Sequence, residues 1–130
     1  MDPLKIEATI SSPSVAFDPE TGDMEIGGES YPENSFEFYA PIESWLHQYL
    51  ETSSRRVRMR VTLSYLNTSS TKCMIDLLDE LEAAHSRGIE VTVEWYYDPD
   101  NERARDNIEE FREDYTMPFH IKPAGGSHEP

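Results

Sequence analysis

Cysteine is nearly missing: Cys73 stands alone in 130 residues. No disulfide can form within the chain, which fits a reducing cytoplasm. A chain of this length buries roughly two-thirds of the surface its unfolded form exposes, so no disulfide or metal staple is needed. Basic residues are also scarce, 11 against 26 acidic ones, for a net charge of −15. A nucleic-acid binder needs a basic footprint. The densest basic run, "RRVRMR" from Arg55 to Arg60, reads instead as the polar face of one strand. Anionic membranes are disfavoured for the same reason. Long apolar runs are absent, so no membrane span is expected. The opening "MDPLKIEATI" carries neither a basic leader nor an apolar core, so no signal peptide is expected. These absences point to a soluble, cytoplasmic chain whose partners are proteins.

The usual signs of catalysis are lacking too. His47, His85, His120 and His128 show no metal-ligand spacing with one another or with Cys73. There is no phosphate-cradling glycine loop and no nucleophile elbow. A hydrolase centred on Ser69 would need a histidine base that the pattern does not supply. The expectation is a non-enzymatic protein with no cofactor and no metal.

Alternation marks the strands. Leu4, Ile6, Ala8 and Ile10 alternate with polar residues, as do Val57, Met59, Val61, Leu63 and Tyr65, and then Val91, Val93, Trp95 and Tyr97. A shorter pair, Met24 and Ile26, follows the turn "DPETGD". A period of two means one buried face and one wetter face, whereas a parallel sheet covered on both sides shows continuous apolar runs. Three helical patterns intervene. The first puts Phe38, Ile42, Trp45, Leu46 and Tyr49 on one stripe, capped by Asn34 or Ser35, with Pro41 implying a late start or a kink. The second, over residues 70–86, buries Met74, Leu77, Leu78 and Leu81 and stops at Gly88. The third carries Ala104, Ile108, Phe111 and Tyr115, capped by Asp100 or Asn101. "PFHIK" is a candidate last strand. The spacing predicts a single α/β domain over residues 1–122, a mixed, mostly one-sided sheet with helices packed on one face. Residues 123–130 read as a disordered tail.

The unusual stretch is "YLNTSSTKCMIDLL". Four hydroxyl side chains, Thr68 to Thr71, follow Asn67 where a strand ends and a helix begins. Asn67, Thr68, Ser69 and Ser70 are all suitable caps, but one cap needs one side chain, contributing about 1 kcal/mol, so the others are expected to lack a structural job. The first turn holds no acid, although helix N-termini favour negative charge, and the nearby charge is Lys72. A phosphate on Thr68 or Ser69 would bring about −1.5 to −2 charges to a place with free amides. Asn67, Ser69 and Ser70 would then shape the loop around it. Two other segments offer contact surface. In "GESYPENS", Tyr31, Glu33 and Asn34 form either an ordinary turn and cap or a surface that partners recognise. Tyr96, at the end of a strand on the same sheet edge, should face the wetter side, as rim packing or as a partner contact.

The strand ending in a polar-Thr-Ser triplet resembles the STAS domains of anti-sigma-factor antagonists. Matched to them, Asn67 takes the place of an aspartate and Thr68 that of the phospho-acceptor; the glycine that usually follows is missing. "GESYPENS", "YLNTSS" with Lys72, and "NER" followed by "EEFRED" are similar, in order and spacing, to motifs of the SiaC family of bacterial regulatory phosphoproteins. That resemblance spans about residues 10–122 and implies a STAS-like fold and partner switching. A cognate kinase would phosphorylate Thr68 and a PP2C-type phosphatase reverse it. The unmodified form would bind and activate a diguanylate cyclase, controlling biofilm and aggregation. The alternative is a constitutive adaptor, or an antagonist-like module with a different partner.

Overall fold

The computed structural model describes residues 1–52 and 56–124. In chain order the elements are β1 (Leu4–Ile6), β2 (Ser14–Phe17), β3 (Asp23–Ser30), α1 (Ser35–Thr52), β4 (Arg56–Leu66), α2 (Thr68–Ser86), β5 (Glu90–Tyr97), α3 (Glu102–Arg112) and β6 (Phe119–Pro123). The six strands lie side by side in sequence order; β1 to β3 pair antiparallel, and β3 to β6 pair parallel. Three successive crossovers that all advance in one direction with the same hand must place their helices on one face. The expected mixed, one-sided α/β sheet is the observed one.

Register explains the two faces. Val15, Ile26, Val61, Trp95 and Ile121 form one row across five strands, and Phe17, Met24, Met59, Val93 and Phe119 form the next. These rows meet Tyr39, Ile42, Leu46, Met74, Leu77, Leu78 and Leu81 from the helices in one core. The opposite face is polar. There Arg56 pairs with Asp23 at 3.1 Å, Arg60 with Glu25 at 3.0 Å, and Arg58 with Glu94 at 3.2 Å. The arginine run is thus a strand face with its charges answered; Arg55 lies outside the described residues. Glu94 is buried under its neighbours, its side chain only 8% exposed. Burial pushes its carboxyl up, but Lys122, Tyr96 and Arg58 together pull it below the ordinary carboxylate range.

Several local expectations are corrected. The first strand stops at Ile6 rather than reaching Ile10, because the Thr9 hydroxyl accepts the amides of Ser11 and Ser12 and folds the chain into a turn. The chain then returns as β2, a strand too short for its alternation to stand out. The α1 stripe is broader than expected: Ile42, Leu46 and Tyr49 are buried as the spacing predicts, Tyr39 and Leu50 join them, and Phe38 and Trp45 pack half-buried at its margin. Helix α1 starts at Ser35, ahead of Pro41, and continues without a break past it; Pro41 sits on the exposed side, where water can reach the Glu37 carbonyl that loses its donor. Tyr65 does not point into the core. Pairing passes from Gly28↔Leu63 to Glu29↔Tyr65, so Ser64 is an extra residue in β4, and this bulge turns Tyr65 outward. Strand β6 runs through Pro123, and the Ala124 amide donates to the Tyr97 carbonyl at 2.7 Å. The rest of the segment read as a tail, 125–130, lies outside the described residues.

The loop that leads into β6 is clamped by one carboxylate. Glu82 of α2 accepts the Thr116 amide and hydroxyl and the Met117 amide, at 2.6 to 3.2 Å. These bonds, the Thr116 hydroxyl foremost, hold its carboxyl below the ordinary range. A depressed carboxylate stabilises the fold above its unfolded pKa, and that contribution fades as pH falls through the folded one. Glu82→Gln should therefore lower the unfolding midpoint at neutral pH. The gap from the parent should close on acidification, as thermal melts across pH would show.

Candidate functional site

The parallel pairing Ser30↔Leu66 carries β3 and β4 to the same edge and sets Tyr31 beside Asn67. The Asn67 amide donates to the Ser30 carbonyl at 3.0 Å. Two helices start here next to each other. Asn34 caps α1, its Oδ1 accepting from the Glu37 amide at 3.1 Å. Asn67 caps α2, its Oδ1 accepting from the Ser70 amide at 2.8 Å. Residues from "GESYPENS" and "YLNTSS" thus share one surface, through chain reversal rather than sequence proximity.

The hydroxyl cluster divides into distinct tasks. Ser70 is fully buried. It accepts from the Ser30 hydroxyl at 2.8 Å and shares a 3.1 Å bond with Ser35. Since Ser30 has one proton, the Tyr39 phenol must be the donor in the 2.8 Å Tyr39–Ser30 bond. Burial pushes the Tyr39 hydroxyl up to about 12, so it keeps its proton. Ser69 donates to Ser35 at 2.8 Å, and the Thr71 hydroxyl donates back to the Asn67 carbonyl at 3.0 Å. Thr68 differs from all of these. It is the first residue of α2, is exposed, and its hydroxyl makes no hydrogen bond among the described residues.

The expectation that one cap leaves the other hydroxyls without structural work is therefore wrong for Ser69, Ser70 and Thr71. Ser70 is placed inside the molecule, where it locks β3, α1 and α2 together rather than facing a partner. Removing it should leave a buried donor without an acceptor, at about 1–3 kcal/mol. In denaturant titrations the double variant Ser30→Ala with Ser70→Ala should lose less than the sum of the single losses, because each single change strands the other hydroxyl.

The remaining residues on this edge are solvent-facing. Glu33 and Asn34 are exposed, and Lys72 makes only a 3.8 Å ion pair with Asp76 one turn on. The first turn of α2 contains no acid. Tyr96 lies on the polar sheet face, as expected, and donates to Glu94 at 3.2 Å. Beyond Thr71, a cavity of about 440 Å³ opens between the ends of β4 and β5 and α3; Tyr65, Asn101 and Arg103 line it over a floor of Leu63 and Trp95. Sequence reasoning passed over two residues here. Tyr65 was hidden by the bulge, and Phe36 lies off the apolar stripe of α1. Among the described residues no group of three or more His, Cys, Asp or Glu is arranged to hold a metal ion. No helix among the described residues is long and apolar enough to cross a membrane.

Residues 6–124 match the family model "SiaC family regulatory phosphoprotein". The chain is 43% identical, over 122 residues, to an uncharacterized protein of Pseudomonas aeruginosa (strain UCBPP-PA14), covering 94% of this chain and 97% of that one. It is similar to the crystal structure of apo-SiaC from Pseudomonas aeruginosa at a TM-score of 0.90 and 41% identity, covering 94% of this chain and 99% of that one. It is also similar, at a TM-score of 0.90 and 42% identity, to a chain in the crystal structure of the diguanylate cyclase SiaD in complex with its activator SiaC from the same species; the coverage is 92% and 98%.

Proposed function

The chain belongs to the SiaC family of regulatory phosphoproteins, and from that premise we propose that Thr68 is its phosphate acceptor in a partner switch. A cognate kinase adds the phosphate and a PP2C-type phosphatase removes it. The unmodified chain binds and activates a diguanylate cyclase, as the SiaC of Pseudomonas aeruginosa is an activator of SiaD, and so promotes biofilm. The role is regulatory, with no chemistry of its own.

The observation that carries this reading is the isolation of Thr68. Among the hydroxyls of the cluster it alone is exposed and uncommitted. It stands at a helix N-terminus, whose partial positive charge suits a phosphate. Ser69, the competing acceptor, spends its proton on Ser35. Tyr31, Glu33, Asn34 and Lys72 surround the loop as contact residues. Asn67 and Ser69 shape it, Ser70 supports it from beneath, and Tyr96 offers a further contact on the polar face.

Incubation with the cognate kinase and ATP should add one phosphate to the parent chain and to Ser69→Ala, and none to Thr68→Ala. Phosphate retained by Thr68→Ala would defeat the assignment.

A further inference from the structure

Five large hydrophobic side chains are more than a third exposed among the described residues, and four of them gather on the edge that carries Thr68. Tyr65 is 52% exposed, Phe36 55%, Tyr31 39% and Ile10 86%. Their proximity has independent supports. The Tyr31 and Tyr65 rings meet edge to face at 5.9 Å. The Tyr31 amide donates to Ser11, the neighbour of Ile10, at 2.7 Å. Phe36 follows Ser35, whose hydroxyl is bonded to Ser69 and Ser70. Bulges re-aim side chains and mark functional edges; here the extra Ser64 moves an aromatic ring from the core to this strip. Aromatic rings clustered in the open are the usual anchors of protein interfaces. Tyr65 also lines the cavity floored by Leu63 and Trp95, so the strip continues into a groove.

The charges around the strip are mainly acidic. Glu29, Glu33 and Glu37 are exposed beside Tyr31, Tyr65 and Phe36, Lys72 is paired with Asp76 at 3.8 Å, and Arg103 in the adjoining groove is accompanied by Asp98 and Glu110. A segment that seats here must be apolar at its centre and basic at its flanks.

We propose that the diguanylate cyclase docks on this aromatic strip through an apolar segment flanked by Lys or Arg, and that phosphate on Thr68 releases it by resisting desolvation rather than by repelling like charge. The proposal rests on the functional reading above. A basic segment is attracted by added negative charge at long range, so repulsion cannot be what ejects it. A phosphate dianion set among Tyr31, Tyr65 and Phe36 would have to shed its water for the segment to bind, and that penalty does not depend on salt.

The test uses the full chain and its cognate cyclase, with affinity read by calorimetry and folding by circular dichroism. Phe36→Ser and Tyr65→Ser should each weaken binding about tenfold or more, and together about a hundredfold, while Glu90→Ser at the far end of β5 changes nothing. Raising salt should weaken the unmodified complex, whereas the loss caused by phosphorylation should persist at high salt. Folded aromatic variants that bind like the parent would overturn the docking surface. A phosphorylated chain whose affinity recovers in high salt would overturn the desolvation mechanism. If the parent chain takes phosphate on Thr68 yet never binds the cyclase, the functional reading itself falls, which is a separate outcome.

Discussion

Thr68→Asp should bind the diguanylate cyclase at least about a hundredfold more weakly than Thr68→Ala, with both variants fully folded. The contrast is clean because the native side chain holds nothing in place. Its hydroxyl has no partner among the described residues and its surface is exposed, so truncation to alanine should move stability by no more than about 0.5 kcal/mol. Aspartate at the first position of a helix is favoured by the dipole by roughly 0.3–1 kcal/mol, so that variant should be as stable as the parent or slightly more so. Lost binding cannot then be ascribed to lost structure. Burying an uncompensated carboxylate in an interface costs several kcal/mol, and about 3 kcal/mol is a hundredfold in affinity. Titration calorimetry with both variants measures the ratio directly. Equal affinities would favour a constitutive adaptor, in which the loop is a fixed contact and no switch exists.

What could be read from residues, and what could not, separates along physical lines. Strands β4 and β5 and helix α2 were legible because each carries several periods of a strong pattern, and one continuous row such as Val57, Met59, Val61 and Leu63 admits one register. One-sidedness followed from the same alternation. Strand β2 was missed because Val15 and Phe17 provide two inward positions only, too few to distinguish from a loop. Tyr65 was misplaced because periodicity assumes a regular ladder, and a bulge is a tertiary event that no spacing rule encodes. The cap residues Asn34, Asn67 and Asn101 were all among the candidates, since capping is local chemistry. The work of Ser69 and Ser70 was not visible, because their partners Ser30 and Ser35 lie more than thirty positions away and are brought in by β3 and α1. Subtracting those commitments is what singles out Thr68; the sequence left Thr68 and Ser69 equal until the family motif was considered.

Trp95→Ala should be the most damaging single truncation near the groove between β4, β5 and α3, costing about 3–5 kcal/mol. The indole is 2% exposed. It lies in the row with Val61 and Ile121, packs against Phe111 at 5.5 Å and stacks on Phe119 at 6.3 Å. Those two rings belong to α3 and β6, the last elements added to the sheet. Helix α3 has little else to hold it, since Ile108 is its one buried residue. Deleting the indole should therefore do more than lower the thermal midpoint by something on the order of 10–20 °C, the range expected for a domain of this size. It should loosen α3 selectively, because local opening follows the element with the fewest buried contacts. Hydrogen exchange should then show residues 102–112 losing protection well before β4 and α2. Since Asn101 and Arg103 line the groove over this same indole, binding at the aromatic strip should weaken while phosphate transfer to Thr68, anchored by α1 and α2, persists. Uniform loss of protection across the sheet would mean that α3 is held by the whole core and not by this one side chain.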